Sequence, residues 1–62
     1  MLKDIQTGDL VKIRSPGPYG GMLAVVLAIH PSHRTVAHHM HEVEVLIAEV
    51  QRAFMMYELE KI

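Results

Sequence analysis

The stretch from Gly8 to Ile29 constrains the fold more than any other part of the chain. It opens at Leu10–Arg14 with apolar and basic residues in alternation, which predicts a half-buried strand. Ser15–Gly21 contains two prolines and three glycines, so it predicts a turn with Tyr19 at its tip. Met22–Ile29 is an unbroken apolar run whose short length and β-branched valines favour a strand over a helix. We expect it to be a central strand that is apolar on both faces.

Within this central strand, two alanines leave room for close neighbours. The larger side chains, expected to form one row, are Leu23, Val25, Leu27 and Ile29. In the strand before it, the alternation places Val11 and Ile13 on one face and the basic residues on the other, facing water. The first two strands are therefore expected to differ, since only the first has a polar face.

The second half of the chain predicts three more short strands. Glu42–Ile47 alternates strictly enough to place its valines and its isoleucine inward and both glutamates outward. A tight connection at residues 48–49 lets Val50–Met55 return as an antiparallel partner. Met56–Leu59 predicts a single 3₁₀ turn, because it is too short for a stable helix, and Glu60–Ile62 a short closing strand. Together, the five predicted strands and the 3₁₀ turn predict an all-β fold, a small five-stranded barrel that is closed or nearly closed.

The size and composition of the chain predict one domain over residues 1–62 with a small core. Half of the residues are apolar and five are methionine, while a chain of about 60 residues buries only ~60% of the surface that it exposes when unfolded. This excess of apolar material predicts self-association into a homo-oligomer. The candidate contacts are Met22, Leu46, Met55 and Met56, since methionine adapts to irregular surfaces. The alternative is that the methionines complete the core.

Several features predict a cytoplasmic protein without a membrane partner. The amino terminus has acidic residues and no apolar core, unlike a secretory signal, and the longest apolar run, eight residues, is too short to cross a bilayer. The chain has no cysteine, which excludes disulfides and fits a reducing compartment. The net charge of −1 gives no bulk attraction to phosphate groups.

Two sequence patterns resemble a known group of small barrels. GDLVKI at residues 8–13, followed by GPYG at 17–20 and a strand ending at Ile29, resembles the opening of KOW-type and related SH3-like barrels. The ending, an EVEVLI strand, a hairpin and then MYELEKI, is similar to the last hairpin, 3₁₀ turn and fifth strand of that fold. The whole chain is also similar to short phage-encoded proteins, including those of cyanophages, whose roles are mostly unassigned. The resemblance implies an SH3-like barrel, located in the host cytoplasm if phage-encoded, and raises nucleic-acid binding as an alternative function.

The candidate nucleic-acid contacts are few. Lys12, Arg14, Tyr19 and Arg34 form a basic, aromatic-bearing face if the loop after the second strand folds beside the first. The chain has only three aromatic residues, and its pI near 6.5 is far from that of a strongly basic domain. Solvated cations at the ends of strands and loops are the simpler interpretation.

Histidines are concentrated in one polar segment. His30–His41 predicts a loop with an irregular strand start near Thr35–His39, and three of the five histidines in the chain are His38, His39 and His41. Histidines at i and i+2 on a strand project to the same side, which suits zinc, nickel or copper. Ordinary loop or interface histidines are the alternative. Because free histidine titrates near pH ~6.5, the cluster would also change the charge of an interface in mild acid.

The sequence contains no motif for catalysis. Its serines and threonines lie in predicted turns and loops, without a nucleophile elbow around them. Gly17–Gly21 lacks the lysine and the Ser/Thr of a phosphate-binding loop and leads into a strand. The sequence therefore favours a non-enzymatic protein-interaction module, without a cofactor, that assembles with itself. A nucleic-acid-binding barrel and a histidine-rich metal-binding protein are the alternatives.

Overall fold

The computed structural model describes residues 5–14, 16–31 and 41–62, and this part of the chain is all-β. In chain order it comprises β1 (Leu10–Ile13), β2 (Leu23–His30), β3 (Glu42–Ile47), β4 (Val50–Met55), a 3₁₀ turn (Met56–Glu58) and β5 (Leu59–Lys61). The predicted fold class is confirmed, and the bounds of β3 and β4 are as expected. Those of β1, β2, the 3₁₀ turn and β5 differ by one residue. The strand start expected near Thr35–His39 lies outside the described residues.

The five described strands form one antiparallel sheet in the order β4-β3-β2-β1-β5. Its two edge strands, β4 and β5, are consecutive in the chain and are joined by only the 3₁₀ turn. Four spacings of about 4.8 Å would separate the edges of a flat sheet by about 19 Å. The chain from Met55 to Leu59 reaches at most about 14 Å even when fully extended. The sheet must therefore curve around its core side.

Curvature brings the end of β4 near the start of β5, because only the 3₁₀ turn separates them. Backbone hydrogen bonds hold the 3₁₀ turn between them: Arg14 N donates to Glu58 O at 2.7 Å, and Met56 N donates to His41 O at 2.8 Å. No ladder joins β4 to β5 among the described residues. The closure of the barrel therefore stays a prediction, and the observed arrangement is a curved, open sheet. In the described ranges no helix has the length and apolar character needed to cross a membrane.

The concave face of the sheet forms the core. Its buried side chains, together with those of the lead-in and the 3₁₀ turn, are Ile5, Val11, Ile13, Ala24, Val26, Val43, Val45, Ile47, Met56 and Leu59. The inward positions predicted for β1 and β3 are confirmed, with Val11, Val43 and Val45 fully buried. Burial of these side chains is the main stabilising contribution available to a chain of this size.

In β2 the expected row of large side chains is wrong at one position. The register shifts between Val26 and Ala28, as in a β-bulge, so Leu27 is the extra residue. Leu27 is exposed like Leu23 and Val25, as alternation predicts. After the extra residue, Ile29 pairs with Val43 of β3 and packs against the core. The extra residue changes the face on which the next side chains lie. A prediction from uninterrupted period-2 alternation along β2 cannot show this change of face.

Replacing a core valine should destabilise the protein far more than replacing a valine at the sheet edge. Val45→Ala removes two methyl groups from a fully buried position and should lower the free energy of unfolding by about 2 kcal/mol. The control Val50→Ala, at a position that is 38% exposed in β4, should cost less than about 1 kcal/mol. Urea titrations followed by circular dichroism measure both values. Equal losses would contradict the assignment of the core face.

Candidate functional site

The convex face of the sheet, opposite the core, carries a row of exposed apolar side chains. Leu10 of β1 lies opposite Val25 of β2, and Val25 lies opposite Leu46 of β3. Ile62 follows β5 and donates its N–H to Leu10 O at 3.2 Å, which places it beside Leu10. The four side chains are 43%, 40%, 37% and 63% exposed, respectively. One apolar row therefore crosses β1, β2 and β3 in register and continues to Ile62, the residue after β5.

β2 extends this row along the strand direction on both sides of Val25. Leu23 is 53% exposed and Leu27 is 38% exposed. We call the six residues the outer apolar patch: Leu10, Leu23, Val25, Leu27, Leu46 and Ile62. From the usual strand spacing and rise, the patch extends about 14 Å across the strands and about 13 Å along them.

The local sequence explains why the patch forms on this face. In an antiparallel sheet with one face on the core, the other face is usually polar. β1 and β3 each carry polar residues on this outer face, Lys12 in β1 and Glu42 and Glu44 in β3. Leu10 and Leu46 break this rule at the positions that flank Val25. The sheet therefore has an apolar centre on this face, with charged residues at its two ends and Gln51 of β4 opposite Leu46.

Charged groups lie at the two ends of the outer apolar patch. At one end Lys12 lies opposite Leu23 of β2 and Glu60 of β5. At the other end His30 lies opposite Glu42, and its side chain reaches Glu44. An apolar centre with a polar rim is the usual anatomy of a protein–protein interface.

Glu44 is held in place by two side chains of neighbouring strands. His30 Nε2 lies 2.5 Å from Glu44 Oε1, and Gln51 Nε2 donates to Glu44 Oε2 at 2.5 Å. The hydrogen bond with His30, followed by that from Gln51, lowers the pKa of Glu44 below its ordinary value. The patch therefore ends, on this side, at a carboxylate of fixed orientation.

The residues proposed for nucleic-acid binding are not all brought together. Lys12 lies on the exposed side of β1, and Arg14, which follows β1, is also exposed. Arg14 borders an open cleft of about 250 Å³ together with Pro16, Tyr57 and Glu58. Tyr19 instead packs against the core as a partly buried side chain. Arg34 lies outside the described residues. The aromatic side chain that borders the cleft beside Arg14 is Tyr57 and not Tyr19.

Tyr19 connects the β1–β2 loop to β4. Its hydroxyl accepts a hydrogen bond from Arg52 Nε at 3.0 Å, and the Arg52 guanidinium carbon lies 5.6 Å from the centre of the ring. The ring also meets Phe54 edge to face, with centroids 6.3 Å apart. This loop tip therefore has a structural role, because it covers the core beside an edge strand.

The candidate self-association residues occupy different environments. Met22 is 40% exposed immediately before β2, and Leu46 belongs to the outer apolar patch. Met55 is half-buried at the end of β4, whereas Met56 is 5% exposed in the core. Sequence reasoning named Leu46 and missed the other five members of the patch. The sequence indicated one of these five residues, because alternation with the inward Val11 predicts that Leu10 of β1 faces outward.

Of the candidate metal ligands, only His41 belongs to the described residues. It precedes β3, and its carbonyl oxygen accepts the hydrogen bond from Met56 N. His38 and His39 lie outside the described ranges. Within those ranges no three His, Cys, Asp or Glu side chains are grouped closely enough to hold a metal ion.

Comparisons of the chain with protein-family models, with curated proteins and with solved structures found no match. The case for a function therefore depends on the surface of the molecule itself. The feature of that surface with the clearest physical meaning is the outer apolar patch.

The bonds to Glu44 should make stability depend on pH in acid. The pKa of Glu44 is lower in the folded protein than its value near 4.5 in the unfolded chain. The ionised carboxylate therefore contributes fully to folding stability above pH 4.5, and this contribution is lost as the pH falls through the pKa of the folded state. Glu44→Gln should therefore be less stable than the wild type at neutral pH and lose less stability than the wild type below about pH 4.5. Urea titrations from about pH 7 to about pH 3 measure this.

The control for this experiment is Glu49→Gln, which removes one carboxylate from the exposed β3–β4 turn and keeps both bonds to Glu44. It should follow the wild-type profile. If Glu44→Gln and the wild type have parallel profiles between neutral and acid pH, the bonds from His30 and Gln51 do not stabilise the fold.

The structural role of Tyr19 can be separated into two parts. Tyr19→Phe removes the hydrogen bond from Arg52 and keeps the ring, so it should cost about 1 kcal/mol or less. Tyr19→Ala also removes the contact with Phe54 and should cost about 2 kcal/mol or more. Urea titrations give both values. If neither variant is less stable than the wild type, the loop tip does not contribute to the core.

Proposed function

We propose that this protein is a small, non-enzymatic interaction module that binds a second copy of itself through the outer apolar patch. The observation that supports this best is an exposed apolar row. Leu10, Val25 and Leu46 are in register on three strands, and Ile62, after β5, lies beside Leu10. The proposal includes a cytoplasmic setting, because a chain without cysteine needs no oxidising compartment in order to fold.

The driving force is removal of the apolar patch from water. Each Å² of apolar surface buried contributes about 25 cal/mol, and this contribution requires no special geometry. Scattered exposed apolar residues are normal on any protein. Here they are contiguous, and three of them follow one another on a single strand at Leu23, Val25 and Leu27. A second apolar surface gains in the same way from leaving water, and a second copy of this chain supplies one.

The size of the patch predicts a weak and reversible complex. A standard interface buries about 800 Å² on each partner, which is about a fifth of the 4404 Å² surface of this protein. The patch is smaller than this, and because the sheet is convex on its outer side, the side chains at the two ends of the row point away from each other. We therefore expect a dissociation constant in the micromolar range or weaker, as in transient complexes.

Light scattering after size-exclusion chromatography tests the proposal. As the concentration rises from about 10 to about 500 μM, across the dissociation constants expected for weak complexes, the mass should rise from 7.0 kDa towards twice that value. Val25→Lys places a charge at the centre of the patch and should keep the protein monomeric, because burying an unpaired charge is costly. Circular dichroism checks that the variant is folded.

The matched control is Ala53→Lys. Ala53 is exposed on the same face of the sheet, opposite Glu44, but lies outside the patch. The Ala53→Lys variant carries the same added charge as Val25→Lys and should associate like the wild type. A wild-type mass that stays at 7.0 kDa over the whole range would reject self-association, and association of Val25→Lys at wild-type strength would reject the patch as its site.

A further inference from the structure

We infer that the outer edge of β4, which faces away from β3, is closed to the addition of a further strand by two of the protein's own side chains, those of Arg52 and Glu58. Each side chain bonds to a backbone group that an incoming strand would need for its own pairing. The inference concerns an edge of the sheet and does not depend on the proposed self-association through the outer apolar patch.

The pairing of β3 with β4 determines which backbone groups of β4 point outward. In an antiparallel pair, every second residue exchanges its N–H and C=O bonds with the partner strand. Met56 N donates to His41 O, and these residues continue the β3–β4 register by one position. Counting back from Met56 in steps of two gives the residues that bond to β3: Phe54, Arg52 and Val50. The residues between them have their N–H and C=O groups on the outer edge: Gln51, Ala53 and Met55.

Two of these outward groups are already bonded to side chains. Arg52 Nη1 donates to Gln51 O at 3.1 Å, and Met55 N donates to Glu58 Oε1 at 2.8 Å. Both bonds agree with the assignment from the register, because neither backbone group is used by β3. Within the part of the chain that the structure describes, Ala53 is the outward residue whose N–H and C=O both lack a partner.

An added antiparallel strand pairs with both the N–H and the C=O of each outward residue. At Gln51 the C=O is occupied, and at Met55 the N–H is occupied, so only Ala53 offers a complete pair. A hydrogen bond formed on association gains little, since it replaces bonds to water. A strand that pairs fully at Ala53 alone therefore gains too little to remain bound.

Other contacts hold both caps in position. Arg52 lies opposite the buried Val45, so it is on the concave side of β4, where a charged residue on an edge strand discourages pairing. Its Nε donates to the Tyr19 hydroxyl at 3.0 Å, and its guanidinium carbon lies 5.6 Å from the centre of the Tyr19 ring. Glu58 belongs to the 3₁₀ turn, and its carbonyl oxygen accepts the bond from Arg14 N at 2.7 Å. Both side chains therefore start from fixed positions beside the edge.

Amide hydrogen exchange followed by NMR tests the cap at Glu58. In the wild type, Met55 N–H should exchange about five- to tenfold more slowly than Ala53 N–H, because only the former is bonded. Glu58→Ala should bring Met55 close to the rate of Ala53 and leave Phe54 N–H slow. Glu58→Gln, which keeps an acceptor oxygen, should retain most of the protection.

Two results of the exchange experiment would overturn the inference. If Ala53 N–H is protected as strongly as Phe54 N–H, the outer edge is not the one assigned from the register. If Glu58→Ala leaves the rate at Met55 unchanged, the carboxylate does not cap the edge. This measurement uses single variants and decides the matter even where a double variant fails to fold.

Strand addition is measured with both caps removed. Arg52→Ala and Glu58→Ala are combined in the Val25→Lys background, in which the outer apolar patch carries a charge. Thioflavin T fluorescence, which reports extended sheets, should rise at least severalfold above that of the parent, and light scattering should show masses well above 7.0 kDa. The matched control combines Arg14→Ala with Glu49→Ala, which removes one cation and one carboxylate from other exposed positions and should stay at the level of the parent.

A second control separates strand addition from loss of stability. Val45→Ala in the same background weakens the core and keeps both caps, so it should give less fluorescence than the variant without caps. The inference is overturned if Val45→Ala aggregates as strongly, or if removal of both caps has no more effect than the matched control. The wild-type mass in light scattering tests the proposed function separately, so failure of one is distinguishable from failure of the other.

Discussion

The short connection between the two edges of the sheet is the constraint on which the rest of this structure depends. Only Met56–Glu58 separates β4 from β5, although these strands lie at opposite ends of the strand order. The sheet must bend until its edges are near each other, and this bend creates a concave side that can be filled by small β-branched side chains. A core composed largely of valine, isoleucine and alanine is therefore sufficient. The same bend defines the convex face on which the outer apolar patch lies.

Much of the fold could be predicted from the sequence because period-2 alternation is a local property. β1 and β3 each have polar residues on one face, and these identify the face that meets the core. β2 has no such marker, since Met22–Ile29 is apolar throughout. Which of its faces is buried is decided by its pairing with β1 and β3, and the bulge at Leu27 then changes the alternation. Ala48, which adopts a left-handed φ of 54° in the β3–β4 turn, likewise follows no glycine or asparagine signal.

The candidate site was harder to predict, because it depends on register between strands that are distant in the sequence. Methionine content directed attention to Met55 and Met56, which the structure places in half-buried and buried positions. Leu10 joins the patch only through the β1–β2 pairing, and Ile62 only through the pairing of β5 with β1. Tyr19 shows the reverse case. A glycine-rich loop tip suggests an exposed binding residue, but contacts with Arg52 and Phe54 of β4, more than thirty positions away, hold it against the core.

The position of the 3₁₀ turn between the two edge strands also bears on how large an assembly can become. Unpaired edges are where sheets usually add further chains, and edge-to-edge addition repeats without limit to give fibres. In this protein the chain passes directly from one edge strand to the other through this turn, which is held by the bonds to the Glu58 and His41 carbonyl oxygens. The edge strand β5 is only three residues long, and short edge strands limit such addition. The proposed contact between two convex faces would instead use each copy's binding surface in a single step. A pair formed in this way would be closed and would not grow into a polymer.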